Sequence, residues 1–147
     1  MNIQPIIFLD IDGVLNSERS MVASTILKPQ QGYCSYTERH YQQLDPVAIN
    51  LLRLLVKEAN AEIVISSSWR KLYDSLDFFK RVFKQFDWHD APVVGMTPCV
   101  DSGFRGQEVE QYINTNDFFV RSSAVVRFMR AHSLVYRMGT HESQRKP

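Results

Sequence analysis

Cysteine is scarce in this chain. Cys34 and Cys99 are the only two among 147 residues, too few for a disulfide framework, and they read as free thiols of a reducing compartment. The four histidines, His40, His89, His132 and His141, do not stand at zinc-binding spacing with the cysteines, which sets aside a Cys/His metal site. Long hydrophobic runs are missing as well. The opening Met1-Asn2-Ile3-Gln4-Pro5 has no basic residues, and the apolar run behind it stops at Asp10. Neither a signal peptide nor a membrane span is expected, and a cytoplasmic location is. Charge of one sign is also absent: the formal net charge is +1, so the molecule as a whole is not built to hold a polyanion. No internal repeat or low-complexity tract interrupts it. What remains is 44% hydrophobic and 22% charged, the composition of one ordinary globular domain with a real core.

The chain is organised around Ile6-Ile7-Phe8-Leu9-Asp10-Ile11-Asp12-Gly13-Val14-Leu15-Asn16. A short apolar run has the composition of a buried parallel strand. It ends in two carboxylates one residue apart, and residues two apart on a strand point to the same side. Asp10 and Asp12 therefore converge at the strand's end, and Gly13 permits a sharp turn beyond them. Ligands of open α/β sheets bind at such carboxyl ends.

Residues 17–44 show no clean period and read as a long loop or small insertion, of the kind used for lids and binding loops. Asp45 and Pro46 then open a helix, with Asp45 as cap and Pro46 at the first helical position. Its expected apolar stripe is Val47, Leu51 and Leu55, flanked by Ala48 and Leu52. Ala61 to Ile65 is a second strand, completing a βαβ unit, and it stops in Ser66-Ser67-Ser68-Trp69-Arg70. Leu72, Leu76, Phe79 and Phe83 predict an amphipathic helix over residues 71–86. A short strand is expected at residues 92–95, a polar loop at 97–106, and a helix at 107–114.

An Asp-x-Asp-Gly sequence alone also fits a calcium loop, but that loop needs oxygen ligands at its fifth and twelfth positions. Counting from Asp10, those are Val14 and Met21. A surface turn explains neither the apolar run into the acids nor the serine-rich end of the second strand.

Phe8 to Asn16 resembles the first motif of the haloacid dehalogenase (HAD) superfamily of phosphatases, and Ile63 to Arg70 resembles its second. The Ser-Ser-Trp-Arg form is similar to small HAD domains grouped with RNA-repair proteins. The resemblance implies an α/β fold, a three-layer sandwich around a parallel, Rossmann-like sheet with a minimal cap. It implies Mg²⁺-dependent hydrolysis of a phosphate monoester through an aspartyl-phosphate. Asp10 would be the nucleophile, and Asp12 the acid and then the base. Mg²⁺ would lie on the Asp10 carboxylate and the Asp12 carbonyl. Ser67, with Ser66 next in line, and the Gly13 turn would bind phosphate. Arg105 or Arg70 would supply the cation that the transferring group needs. The implied substrate is a small phosphorylated molecule or a nucleic-acid phosphate end.

The superfamily's fourth motif, acids after a later strand, has no match here. Phe118-Phe119-Val120 stands in the place of that strand, but Arg121-Ser122-Ser123 follows it, and no aspartate follows Asp117. Either Asp117, Asp101 or Glu142 completes the metal site, or residues 118–147 are an atypical basic segment outside an ancestral domain of residues 1–117. The second expectation carries an alternative function, a HAD scaffold impaired in turnover that serves in binding or is a defective product. The interleaved basic and aromatic residues of that segment also suit contact with nucleic acid, though an irregular segment packed on the domain explains them more simply.

Overall fold

The computed structural model describes residues 4–27 and 41–116. Expectations that fall on residues 28–40 and 117–147, including Cys34, Asp117, Glu142, the fourth-motif region and the basic C-terminal segment, lie outside the described residues.

Three parallel strands, β1 (Ile6–Leu9), β2 (Glu62–Ile65) and β3 (Val93–Met96), form a sheet in the order β1-β2-β3. Ile6 pairs with Glu62 and Leu9 with Ile65, so the two strands run out together, at Asp10 and Ser66. The Ser66 amide donates to the Leu9 carbonyl at 2.7 Å, extending the ladder one step beyond the strands.

Helices α1 (Glu18–Leu27), α2 (Pro46–Ala59), α3 (Leu76–Lys84) and α4 (Arg105–Thr115) complete the described fold. Alternation along the strands sends Ile7, Leu9, Ile63 and Ile65 to one face, where they share a core with Ile49, Leu52 and Val56 of α2 and with Phe78, Phe79, Val82 and Phe83 of α3. Ile6, Phe8 and Val64 face the other way, against Val109, Tyr112 and Ile113 of α4. These are the three layers expected of the α/β class, with helices on both faces of a parallel sheet. Among the described residues no helix is long and apolar enough to cross a membrane.

Three expectations need correction. The α2 cap is as read: Asp45 accepts from the Val47 amide at 2.8 Å, and Pro46 opens the helix. Its buried stripe, however, is Ile49, Leu52 and Val56, while Val47 and Leu51 are 65% and 62% exposed. The helix is apolar over more than half its circumference, so periodicity alone could not choose the face. The helix expected from residue 71 begins at Leu76 instead. Residues Ser68–Lys71 make a 3-10 turn that Ser67 caps, and Leu72 is left 63% exposed. Finally, the stretch 17–44 contains α1. Ser17 and Ser20 cap it reciprocally, each side chain accepting from the other's amide at 2.8 and 3.1 Å, a serine variant of the capping box.

Tyr112 ties α4 closely to the sheet. Its ring meets Phe8 edge-on, with centroids 5.9 Å apart, and its hydroxyl lies where a Cβ on Gly95 would stand. Burial, and then the charge of Glu62, raises the Tyr112 hydroxyl above its ordinary pKa.

Candidate active site

The ends of β1 and β2 meet beneath the start of α4. Asp10 lies one residue past β1, and its Oδ1 accepts from the Ile11 amide at 2.8 Å. Arg105, the first residue of α4, places Nη2 3.7 Å from the same oxygen. Its Nη1 donates to the Ser66 carbonyl, so one guanidinium bridges both strand ends. Asp10 Oδ2 has no hydrogen-bond partner among the described residues, and about a third of the side chain is exposed, 34%.

Asp12 sits on the turn that follows. Gly13 adopts φ 75°, in the left-handed region that favours glycine. The turn brings Asn16 back on itself: Asn16 Oδ1 accepts from the Gly13 amide at 2.7 Å, and Asn16 Nδ2 donates to Asp12 Oδ1 at 3.0 Å. The Gly13 amide is thereby engaged within the loop. Trp69 Nε1 also donates to Asp12 Oδ1, at 2.9 Å, and Ser68 Oγ donates to Asp12 Oδ2, at 2.9 Å. Asp10 faces the Arg105 guanidinium, and Asp12 accepts from the Asn16 amide, the Ser68 hydroxyl and the Trp69 indole.

Ser66 and Ser67 are both buried. Ser67 Oγ accepts from the Trp69 amide at 3.4 Å, and Ser66 Oγ accepts from Thr97 Oγ1 at 3.4 Å. Arg70 is buried too. Its Nη1 donates to the Ser67 carbonyl at 2.5 Å, its Nη2 to the Pro98 carbonyl at 3.4 Å, and Nη2 lies 2.5 Å from Glu108 Oε2. That last contact is an ion pair without the alignment of a hydrogen bond, and Arg70 Nε has no acceptor among the described residues.

The structure therefore gathers Asp10, Asp12, Ser66, Ser67 and Arg105 at one sheet edge, with Arg70 beneath them in the protein interior. Sequence reasoning overlooked Asn16, Ser68, Trp69 and Glu108. Asn16 carried a signal, since an amide four residues after an acid across a Gly turn can close on it. Glu108 carried none, because its partner belongs to a distant segment.

Asp10 Oδ2, a carboxylate oxygen left open at the strand end, is the kind of hard donor that suits a divalent cation that keeps several waters. Asp101 is exposed, and the described residues contain no group of three or more His, Cys, Asp or Glu placed to hold a metal ion by themselves. A separate recess of about 840 Å³ opens between α1 and the start of α2, lined by Arg19, Tyr41, Asp45 and Phe86 among others, and none of Asp10, Asp12, Ser67 or Arg105 lines it.

Comparison with known proteins agrees with this geometry. Residues 6–128 match the family described as the HAD domain in Swiss Army Knife RNA repair proteins. No curated protein and no solved structure matches the chain. With paired acids at the end of β1, serines at the end of β2 and most of its length matched, the chain belongs to this HAD domain family of RNA-repair proteins.

Proposed function

We propose that this domain hydrolyses phosphate monoesters, with nucleotide or nucleic-acid phosphate ends as the substrate class and Mg²⁺ as cofactor. The observation that carries the reading is Arg105 bridging Asp10 and the Ser66 carbonyl across the two strand ends. A carboxylate and a guanidinium side by side can attack a phosphoryl group and neutralise its charge. The family's tie to RNA repair supports the substrate class.

In the proposed cycle the Asp10 carboxylate attacks phosphorus, with Oδ2 as the oxygen left open for it or for the cation. As the Asp10 O–P bond forms, the bond to the leaving oxygen breaks, and Asp12 gives that oxygen a proton. Water then attacks the aspartyl-phosphate, loses a proton to Asp12, and frees Asp10 and inorganic phosphate. Arg105 stabilises charge on the phosphoryl oxygens in both halves. Ser67 retains a hydroxyl proton to donate, and its burial restricts it to a phosphate seated fully between the strand ends. The Arg70 guanidinium, committed to Ser67, Pro98 and Glu108, holds the turn that carries the serines. Mg²⁺, held by Asp10 and the Asp12 carbonyl, would offset the repulsion between carboxylate and phosphate dianion.

The test is hydrolysis of p-nitrophenyl phosphate with Mg²⁺ by the wild type and by Asp10→Asn. A measurable wild-type rate that falls by about a thousandfold or more in the variant is expected, since the nucleophile is removed. Activity in neither protein would favour the impaired scaffold. Equal activity in both would reject Asp10 as nucleophile.

A further inference from the structure

The recess of about 840 Å³ beside α1 takes part in no step of the proposed cycle. Its size falls in the range of ~300–1,000 Å³ that small-molecule and cofactor sites occupy. The lining mixes three kinds of group: the rings of Tyr41 and Phe86, the amides of Gln42 and Gln85, and the guanidinium of Arg19. Both rings are braced by the protein. Tyr41 packs on Phe78 with centroids 5.7 Å apart, Phe78 stacks on Tyr73 at 3.7 Å, and Phe86 packs against the main core. Rings already fixed by packing lose little freedom when a ligand arrives.

Charge and position both bear on what the recess could hold. Arg53 of α2 donates to the Asp87 carbonyl at 3.4 Å, one residue beyond Phe86, and Arg81 and Lys84 stand in the last turn of α3 just before it. The acids nearby are Glu18, Asp87 and Asp45, and Asp45 Oδ1 is engaged in capping α2. The cations exceed these acids only slightly, which suits about one or two phosphates and not a long backbone. The recess also adjoins the strand ends. Leu44 in its wall forms an antiparallel bridge with Asn16, and Asn16 Nδ2 donates to Asp12 Oδ1 at 3.0 Å. Bridged residues stand about 5 Å apart between Cα atoms, which puts this wall within roughly 12 Å of Asp12. A strand rising about 3.4 Å per nucleotide covers that distance in about two to four nucleotides.

We propose that this recess is a second binding site, which takes a base of a single-stranded nucleic acid whose phosphate end lies at Asp10. The proposal rests on the phosphatase reading above and adds to it a preference for strands over small esters. A base is flat and apolar on its faces and carries donors and acceptors on its edges. Tyr41 and Phe86 suit the faces. The glutamine amides, each both donor and acceptor, suit the edges, and the Asp45 carboxylate can accept from an exocyclic amino group. Arg19 suits the adjoining phosphate. An apolar ligand would cover the amides without partners, and a free phosphate would leave the rings uncovered.

The test uses the full chain and a fluorescently labelled single-stranded RNA hexamer ending in a phosphate. Binding is read by anisotropy in the Asp10→Asn background, where the strand stays intact. Adding Phe86→Leu, which removes the aromatic face and keeps apolar bulk, should raise Kd about tenfold, the scale of losing one stacked base. Phe86 is half-buried, whereas Arg19 is exposed, so Arg19→Ala supplies a variant with an undisturbed core. It should raise Kd about fivefold and lessen the slope of log Kd against log salt by about 0.7, the share of one phosphate. With Asp10 restored, both variants should lower the ratio of kcat/KM on the RNA end to kcat/KM on p-nitrophenyl phosphate by about the factor lost in binding. A hexamer that does not bind, or binds alike in all variants, overturns the recess site, and so does an equal loss on both substrates. A wild type that hydrolyses neither substrate instead overturns the phosphatase reading, and the anisotropy arm then decides the recess by itself.

Discussion

Arg70 and Arg105 are alike in the sequence and opposite in the structure. Either could be the cation beside a phosphate, because both flank polar turns at strand ends. Arg70 is the buried one, with side-chain exposures of 3% for it and 2% for Glu108. Arg105 is 26% exposed and touches Asp10. Removing one partner of a buried pair leaves the other charge uncompensated, which costs about 3–5 kcal/mol. Glu108→Gln should therefore lower the unfolding free energy, read from urea denaturation, by an amount of that order, whereas Arg105→Ala should shift it by less than about 1 kcal/mol. For kcat/KM on a phosphate ester the emphasis reverses: Arg105→Ala should cost about a hundredfold or more, the scale of losing one charge-stabilising donor. Denaturation curves beside kinetics on the two variants check the division. Asp10 and Asp12 were legible in the sequence because their spacing and the strand's period are local. The division between the arginines was not, since Glu108 reaches Arg70 only once α4 has packed on the sheet.

Among the elements, α4 is the one whose place depends on a missing side chain. A Cβ on Gly95 would fall on the Tyr112 hydroxyl and stand 2.9 Å from Tyr112 Cζ, so β3 accepts a glycine there and little else. Gly95→Ala should destabilise the domain by about 1–3 kcal/mol, as overpacking does. Adding Tyr112→Phe, which removes the first atom the methyl group meets, should recover part of the loss, and urea midpoints of the single and double variants measure the coupling. The strands and α2's cap were readable because apolar runs, Asp45 and Pro46 act locally. The buried face of α2 was not, because Val47-Leu51-Leu55 and Ile49-Leu52-Val56 are both helical stripes and only the sheet selects between them. The late start of α3 has a similar cause. Trp69 and Arg70 make bonds to Asp12, Ser67 and Glu108 that keep their turn in 3-10 form, and those bonds override the period that Leu72 suggested.

At the scale of the molecule, the proposed site exists only when three distant stretches meet: the turn after β1, the turn after β2 and the start of α4. Each is held by long-range bonds, Trp69 to Asp12, Arg70 to Glu108 and Arg105 to Asp10. No single stretch carries a complete site, so a ligand bound there binds the folded chain and not the unfolded one. Mass action then converts occupancy into stability, about 2.7 kcal/mol when the ligand stands at a hundred times its Kd. Millimolar Mg²⁺ with inorganic phosphate should raise the melting temperature of the wild type by several degrees. Asp10→Ala relieves a charge and can alter the starting Tm in either direction, so the informative quantity is the increment on adding ligand. That increment should largely vanish in Asp10→Ala if the ions bind at the end of β1. A full increment in the variant would place their binding elsewhere and remove the cofactor assignment from this site.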